Sequence, residues 1–455
     1  FSDHDLRPSY PLLSQAKWQS LLAELGFTDA AAVPDDESVG QVVLLAKNPV
    51  AAPTESGSWL IVADEGGVGR KLAELLNERG GQTVLASPDE RLDLSASYRG
   101  VVHLSSLDST DADCGGVLTL TQLLIKAGGS ARLWLATRNA QPTEAASPAT
   151  PGQATVWGLG RVIALEHPEL WGGVVDLPSN GSVNDDAASL LAEILNPDGE
   201  DQIAWRDGKR YVPRLARNGN LKGRATQWRP DGAYLITGGL GGLGLNIARW
   251  MAEQGARHIV LLGRTGLPDR TQWPTLTEKD DAYRKAKAIQ EIEASGATVT
   301  VISADVSDRA RMTQVFEQFG KVLPPLRGLV HAAAALSSWP VKDMPPEALQ
   351  AMLRPKVTGT WILHELTAKM ELDFFVLFSS TTALWGSRAL AHYAAANQFL
   401  DSFAHFRRSL GLPALSLNWG TWEERRAASA EERQEVAQFG LNTMPSAQAL
   451  EVLGG

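Results

Sequence analysis

A single cysteine, Cys114, excludes an internal disulfide framework. No apolar run approaches the roughly 18 residues that a membrane span needs, and no basic start followed by an apolar stretch marks the chain for export. Positive charge is in short supply: 42 Lys and Arg against 52 Asp and Glu leave a net charge of -10. That balance argues against nucleic acid as the main partner. No block of low complexity stands out, and no metal site is expected. What is left is a globular composition, expected in the cytoplasm, whose 455 residues exceed one ordinary core and favour two or three compact units.

What is present is a weak internal duplication. Ala233-Tyr234-Leu235-Ile236-Thr237 reads as a buried strand, followed by a glycine turn, a helical stretch from Leu243 to Gly255 and the strand Ile259–Leu262. The first half repeats this with Trp59–Ala63, a turn ending at Gly69, the helical Arg70–Glu78 and Thr83–Ala86; Arg99-Gly100-Val101-Val102-His103 likewise mirrors Arg327-Gly328-Leu329-Val330-His331. Short apolar strands alternating with helices imply right-handed crossovers and parallel sheets covered on both faces. The expectation is an α/β fold with two doubly wound halves, 57–222 and 223–455, separated by the polar stretch Ala216–Gly223. Residues 1–56, with a helix-like run from Trp18 and a strand-like Gln41–Ala46, fit neither repeat and form a leading or linking segment.

Thr237-Gly238-Gly239-Leu240-Gly241-Gly242-Leu243-Gly244 stands directly between a strand and a helix. Glycines there let the backbone turn tightly and approach a pyrophosphate, whose charge meets the free amides and positive dipole of the helix start. Twenty residues after Gly244 comes Arg264, where an NAD site would carry an acid for the ribose hydroxyls. An arginine favours a 2′-phosphate, hence NADPH. Asp305-Val306 closes a third strand, where a side chain can meet the adenine amine. In the first half, Ala63 and Asp64 replace Gly238 and Gly239, and Pro88 falls at the Arg264 position. A carboxylate in the turn repels a pyrophosphate, so this half is expected to bind no nucleotide.

The strand-like Phe374–Phe378 leads into Ser379-Ser380, and Tyr393 follows in the alanine-rich, helical Tyr393-Ala394-Ala395-Ala396-Asn397. Tyr393 and Asn397, four apart, share one helical face. Reducing a ketone requires an acid near the carbonyl oxygen. Tyrosine, with a pKa of about 10, serves only beside a cation, and Lys356 is the candidate.

With TGGLGGLG at 237–244, LLGRTG at 261–266, ADVSD at 304–308, GLVHAAA at 328–334, KVTGT at 356–360, FSS at 378–380, YAAANQFLD at 393–401 and NWGTW at 418–422, the chain resembles the short-chain dehydrogenase/reductases. It is most similar to the ketoreductase domains of modular polyketide synthases. The wider superfamily has lysine four residues after the tyrosine; Asn397 there and Lys356 upstream are typical of the polyketide enzymes. The resemblance implies two Rossmann-like subdomains, a structural one bracing a catalytic one. It implies Tyr393 as general acid, Ser380 as hydrogen-bond donor to the ketone, Lys356 as the group that tunes Tyr393 and holds the nicotinamide ribose, and Asn397 as support for a proton relay. His331, Ala332 and Ala333 join the glycine turn at the cofactor.

The implied reaction reduces a β-ketoacyl thioester, carried on the phosphopantetheine arm of an acyl carrier protein among neighbouring synthase domains. B-type members carry Leu-Asp-Asp after the HAA motif, whereas Leu336-Ser337-Ser338 stands here. A-type members carry a tryptophan eight residues before the tyrosine, which is Trp385. The A2 histidine three residues before the tyrosine is replaced by Leu390, so an A1-like course to the L-β-alcohol is implied. Residues 1–50 resemble the tail of a carbon-methyltransferase domain, or else a linker strand of the structural half. The alternatives are a silent structural module, which as a rule has lost the tyrosine or the glycine turn, and a free-standing carbonyl reductase or epimerase.

Overall fold

A run such as Ala233–Thr237 buries completely only if both faces of its sheet are covered, and helices supply that cover. In the computed structural model, residues 13–33, 43–47, 58–88, 90, 92–94, 96–109, 114–144, 150–217, 227–335, 337–423 and 443–454 are described. Two compact units divide the chain, Phe1–Ser56 and Gly57–Gly455.

The smaller unit has a helix, Gln15–Glu24, whose first turn is capped by the Ser14 hydroxyl. An antiparallel pair follows, β1 (Thr28–Val33) with β2 (Val43–Lys47). The expected strand at Gln41–Ala46 is thus met in its second part; positions 41 and 42 lie outside the described residues.

The larger unit holds two sheets. The first contains β3 (Ser58–Val62), β4 (Gln82–Ala86), β5 (Tyr98–His103), β6 (Arg132–Arg138), β7 (Trp171–Leu177), β8 (Gln202–Arg206) and β9 (Lys209–Tyr211), in the order β4-β3-β5-β6-β7-β8-β9. All neighbours are parallel except β8 and β9. The second contains β10 (Ala233–Thr237), β11 (His258–Gly263), β12 (Thr298–Ser303), β13 (Leu326–His331), β14 (Phe374–Ser380) and β15 (Leu415–Trp419), all parallel, in the order β12-β11-β10-β13-β14-β15. Chain order reverses at β10, which places a crevice beyond the carboxyl ends of β10 and β13. The duplication is therefore real in α/β type but incomplete: no strand equivalent to β12 lies between β4 and β5 among the described residues, and β9 closes the first sheet antiparallel. Most of the polar boundary at 216–223 falls outside the described residues, from 218 on.

The two halves share a core. One cluster of buried side chains runs from Leu60 and Leu135 through Trp157 and Leu159 to Phe399 and Phe403. At its centre the helix Ala154–Glu166 lies against the helix Ala391–Ser409 that carries Tyr393. The approach is close because Gly158 has no side chain; a Cβ there would stand 2.3 Å from the Ala394 carbonyl oxygen. Arg161, buried at this contact, donates to the Ala383 carbonyl and the Gln398 side chain of the other half.

Candidate active site

The glycine turn after β10 has the geometry its sequence demands. Gly238 sits at φ +70°, and a Cβ there would meet the Ala332 carbonyl oxygen at 2.8 Å. At Gly244 a Cβ would strike the Gly238 carbonyl oxygen at 2.5 Å, so helix and turn pack only without it. Gly242 faces open space. The helix Gly242–Glu253 begins with no side-chain cap, leaving its first amides turned to the cleft.

The equivalent turn in the first half is closed by its own side chain. Asp64 Oδ2 accepts from the Val68 amide at 3.0 Å and Oδ1 from the Gly69 amide at 2.7 Å. Those are the donors an anion would use, and the carboxylate is 7% exposed. The sequence signal at Asp64 was repulsion; the structure adds occupation.

A cleft of about 1460 Å³ opens beyond β10, β13 and β14. Gly238, Leu240, Gly241, Gly242, Leu243, Gly244, Arg264, Asp305 and Val306 line one end, with Ala332 and Ala333; Lys356, Ser380, Trp385, Leu390 and Tyr393 line the other. Burial pushes the Asp305 carboxyl up, but the Ser307 hydroxyl and amide, with Arg354 and Arg264 nearby, more than offset it and hold it below the usual range. Gly239, Thr237, His331 and Asn397 stand behind the lining. Thr237 and His331 are fully buried. His331 Nε2 lies 3.1 Å from the Pro355 carbonyl and so carries the proton, which leaves Nδ1 to accept from the Thr237 hydroxyl at 2.6 Å. Burial, with Lys356 near, lowers the imidazole to about 3, so it stays neutral. This chain of contacts ties β10 and β13 to the helix Pro346–Lys356 and sets the position of Lys356. Sequence placed Thr237 and His331 against the cofactor; the structure places them one layer back.

Lys356 is 1% exposed and donates to the Phe378 carbonyl at 2.9 Å, with its ammonium 5.7 Å from the centre of the Tyr393 ring. Burial lowers it to about 7, against the opposing pull of Asp401. Ser380 Oγ accepts from the Thr382 amide at 3.2 Å, so its own proton is available to the cleft. Asn397 Nδ2 donates to the Tyr393 carbonyl at 2.8 Å, while its buried Oδ1 has no hydrogen-bond partner. Trp385, 45% exposed, ends the short helix Thr382–Trp385, and Leu390 precedes the helix Ala391–Ser409, one on each side of the loop before Tyr393. Leu336 lies outside the described residues.

Residues that sequence reasoning missed are Asp401 and Asn418. Asn418 Nδ2 donates to Ser379 Oγ, to the Ser380 carbonyl and, at 2.7 Å, to Asp401 Oδ2. They lock β14 to β15 behind Ser380. Only their place in the YAAANQFLD and NWGTW motifs signalled them.

The pattern of matches to known proteins follows the two sheets. The KR domain family model matches residues 232–424, and the model of the Rossmann fold domain of the polyketide synthase extender module SpnB matches 27–215. A phenolphthiocerol/phthiocerol polyketide synthase protein from Mycobacterium bovis is 34% identical over 434 residues, which cover 89% of this chain and 26% of that protein. Erythronolide synthase EryA3 from Saccharopolyspora erythraea is 36% identical over 399 residues, 87% of this chain and 12% of that one. The chain thus spans about a quarter of the first relative and less of the second. Among solved structures, an A1-type ketoreductase superposes with a TM-score of 0.75 at 34% identity, covering 90% of this chain and 88% of that one. A C2-type ketoreductase from a modular polyketide synthase reaches 0.76 at 29% identity, covering 88% and 89%, so the backbone alone does not separate the types. Among the described residues no helix is long and apolar enough to cross a membrane. The α/β halves, the cleft and these matches agree: the chain belongs to the ketoreductase domains of modular polyketide synthases, oxidoreductases built on the short-chain dehydrogenase/reductase fold.

Proposed function

We propose that this protein reduces a β-ketoacyl thioester, presented on the phosphopantetheine arm of an acyl carrier protein, to the L-β-hydroxyacyl thioester at the expense of NADPH. The observation that carries the reading is the cleft itself, with an uncapped glycine-rich helix start and Arg264 at one end and Tyr393, Ser380 and Lys356 at the other. The glycine turn and helix amides suit a pyrophosphate, and Arg264 suits the 2′-phosphate. When bound there, the dinucleotide supplies the hydride. Tyr393 gives the proton to the ketone oxygen. Ser380 donates a hydrogen bond to the same oxygen and stabilises the charge that develops on it. Lys356, held against the Tyr393 ring by the Phe378 carbonyl, favours the tyrosinate left after transfer when it is charged. Asn397, one helical turn after Tyr393 and bonded to its carbonyl, supports the relay that returns a proton to Tyr393. We assign residues 57–222 to bracing and 223–455 to catalysis. The family model of the Rossmann fold domain, which spans 27–215, begins within residues 1–56.

Changing Arg264 to Ala removes one charge-assisted contact, so NADPH is expected to bind about 1.5 to 3 kcal/mol more weakly while NADH is nearly unaffected. Titration with both cofactors checks this, and equal losses would contradict the assignment.

The configuration of the alcohol follows from the direction in which the thioester enters a fixed cleft. Trp385 at the mouth, Leu390 in place of histidine and the missing acids at Ser337 and Ser338 support the L product. Incubation with NADPH and a panel of β-ketoacyl thioesters, with chiral analysis of the products, tests activity and stereochemistry together. Trp385→Ala is expected to erode the L preference before it erodes the rate; a mainly D product from the parent protein would overturn the stereochemical part.

A further inference from the structure

The Glu166 carboxylate accepts hydrogen bonds from backbone amides of two loops that flank the cleft. Ala389 donates to Oε1 at 2.5 Å and Val341 to Oε2 at 2.7 Å. Glu166 ends the helix Ala154–Glu166, in the half that has no open glycine turn. Its two amide donors lie far apart in sequence, and both belong to the other half.

The loops meet each other at the same point. Ala389 has φ +61°, a left-handed conformation that a residue with a Cβ rarely adopts. Its amide is held by Glu166, and its carbonyl accepts from the Trp339 amide at 2.8 Å. Ser337 Oγ lies 2.8 Å from His392 Nε2, which ties the first loop to the residue preceding Tyr393. The second loop starts at Gly386, where a Cβ would meet Leu165 at 2.8 Å, so it too is seated on the bracing half. Trp385 and Leu390 flank this loop, and Ser338 and Leu390 line the cleft from its two sides.

We propose that Glu166 is a positioning residue for stereochemical selection: one carboxylate fixes the spacing of the two mouth loops and thereby the direction from which the acyl thioester enters. The proposal rests on the ketoreductase reading above. A carboxylate suits the task because both its oxygens accept and neither donates. Glu166→Gln keeps the shape but turns an NH2 group toward one of the two amides, so one loop is released and its amide left unpaired.

For Glu166→Gln we expect amide exchange across 337–344 and 386–391 to accelerate at least tenfold, and the minor alcohol isomer from a carrier-bound β-ketoacyl substrate to rise at least fivefold. The Kd for NADPH and the turnover of a small untethered ketone should stay within twofold, because neither uses the loops. Ala389→Gly added to Glu166→Gln should recover part of the selectivity, since glycine adopts the left-handed backbone of the second loop without the Cβ strain that Ala389 carries there. If the single variant folds poorly, the double variant carries the same comparison. An unchanged isomer ratio despite faster exchange overturns the proposal, as does a parallel loss of every rate and of Tm at a constant ratio. A parent protein that yields no β-hydroxyacyl product overturns the ketoreductase reading instead, and the exchange experiment then still decides whether Glu166 clamps the loops.

Discussion

Tyr393→Phe is expected to slow thioester reduction by about 10²- to 10⁴-fold, the range that a positioned general acid contributes. The variant deletes one oxygen. Tyr393 lies only partly buried at the cleft, and its backbone carbonyl, not its hydroxyl, accepts from Asn397. Nothing in the packing of the helix Ala391–Ser409 depends on the phenol oxygen, so Tm and the Kd for NADPH should be unchanged. Single-turnover rates with saturating NADPH separate the loss of the chemical step from a loss of binding. A rate within about tenfold of the parent would move the proton source to another group, with Ser380 first in line.

Gly158→Ala is expected to act on both stability and rate although it lies in the bracing half. In an exposed helix interior the same change stabilises by about 0.5 to 1 kcal/mol. Here the added Cβ would stand 2.3 Å from the Ala394 oxygen, 2.5 Å from its carbon and 2.6 Å from the Ala395 nitrogen, all backbone atoms that cannot rotate away. Overpacking of this kind costs about 1 to 3 kcal/mol or more, so the clash outweighs the propensity gain. The helix that must shift carries Tyr393, next to Ala394. Thermal melts should show a clear fall in Tm, and kcat should drop while the Kd for NADPH, whose proposed site is the far end of the cleft, should hold. Gly116→Ala is the control: a Cβ there meets only His103 Nε2, at an ordinary 3.5 Å. Its Tm should hold or rise. Equal behaviour of the two variants would mean that the halves do not transmit position through Gly158.

What the sequence made legible was local. Ala233–Thr237 is β10 to the residue, because a short apolar run between a polar turn and a glycine cluster admits no other element of that length. The order Lys356, Ser380, Tyr393, Asn397 named the groups that the fold gathers. Depth was not legible: nothing in the HAA motif tells that His331 turns into the core, to the Pro355 carbonyl and the Thr237 hydroxyl, and not out to the cleft, since both positions suit a neutral imidazole. Nor was the contact between halves. Gly158 and Glu166 lie in none of the motifs of the sequence, and their significance arises from partners in the other half, Ala394 for the first and Val341 and Ala389 for the second. Pairings at such separation carry no periodicity.

The carboxylate of Asp64, seated on the amides of its own helix, separates the thermodynamics of the two halves. A glycine turn that waits for a dinucleotide gains stability by mass action, about 2.7 kcal/mol at a hundredfold excess over Kd, and gives it back when the cofactor leaves. A turn that supplies its own anion gains its share during folding and keeps it. On the proposed reading, loss of the cofactor would remove that stabilisation from the 237–244 turn, whereas the turn of the other half, whose amides are taken by Asp64, would be indifferent to the nucleotide concentration.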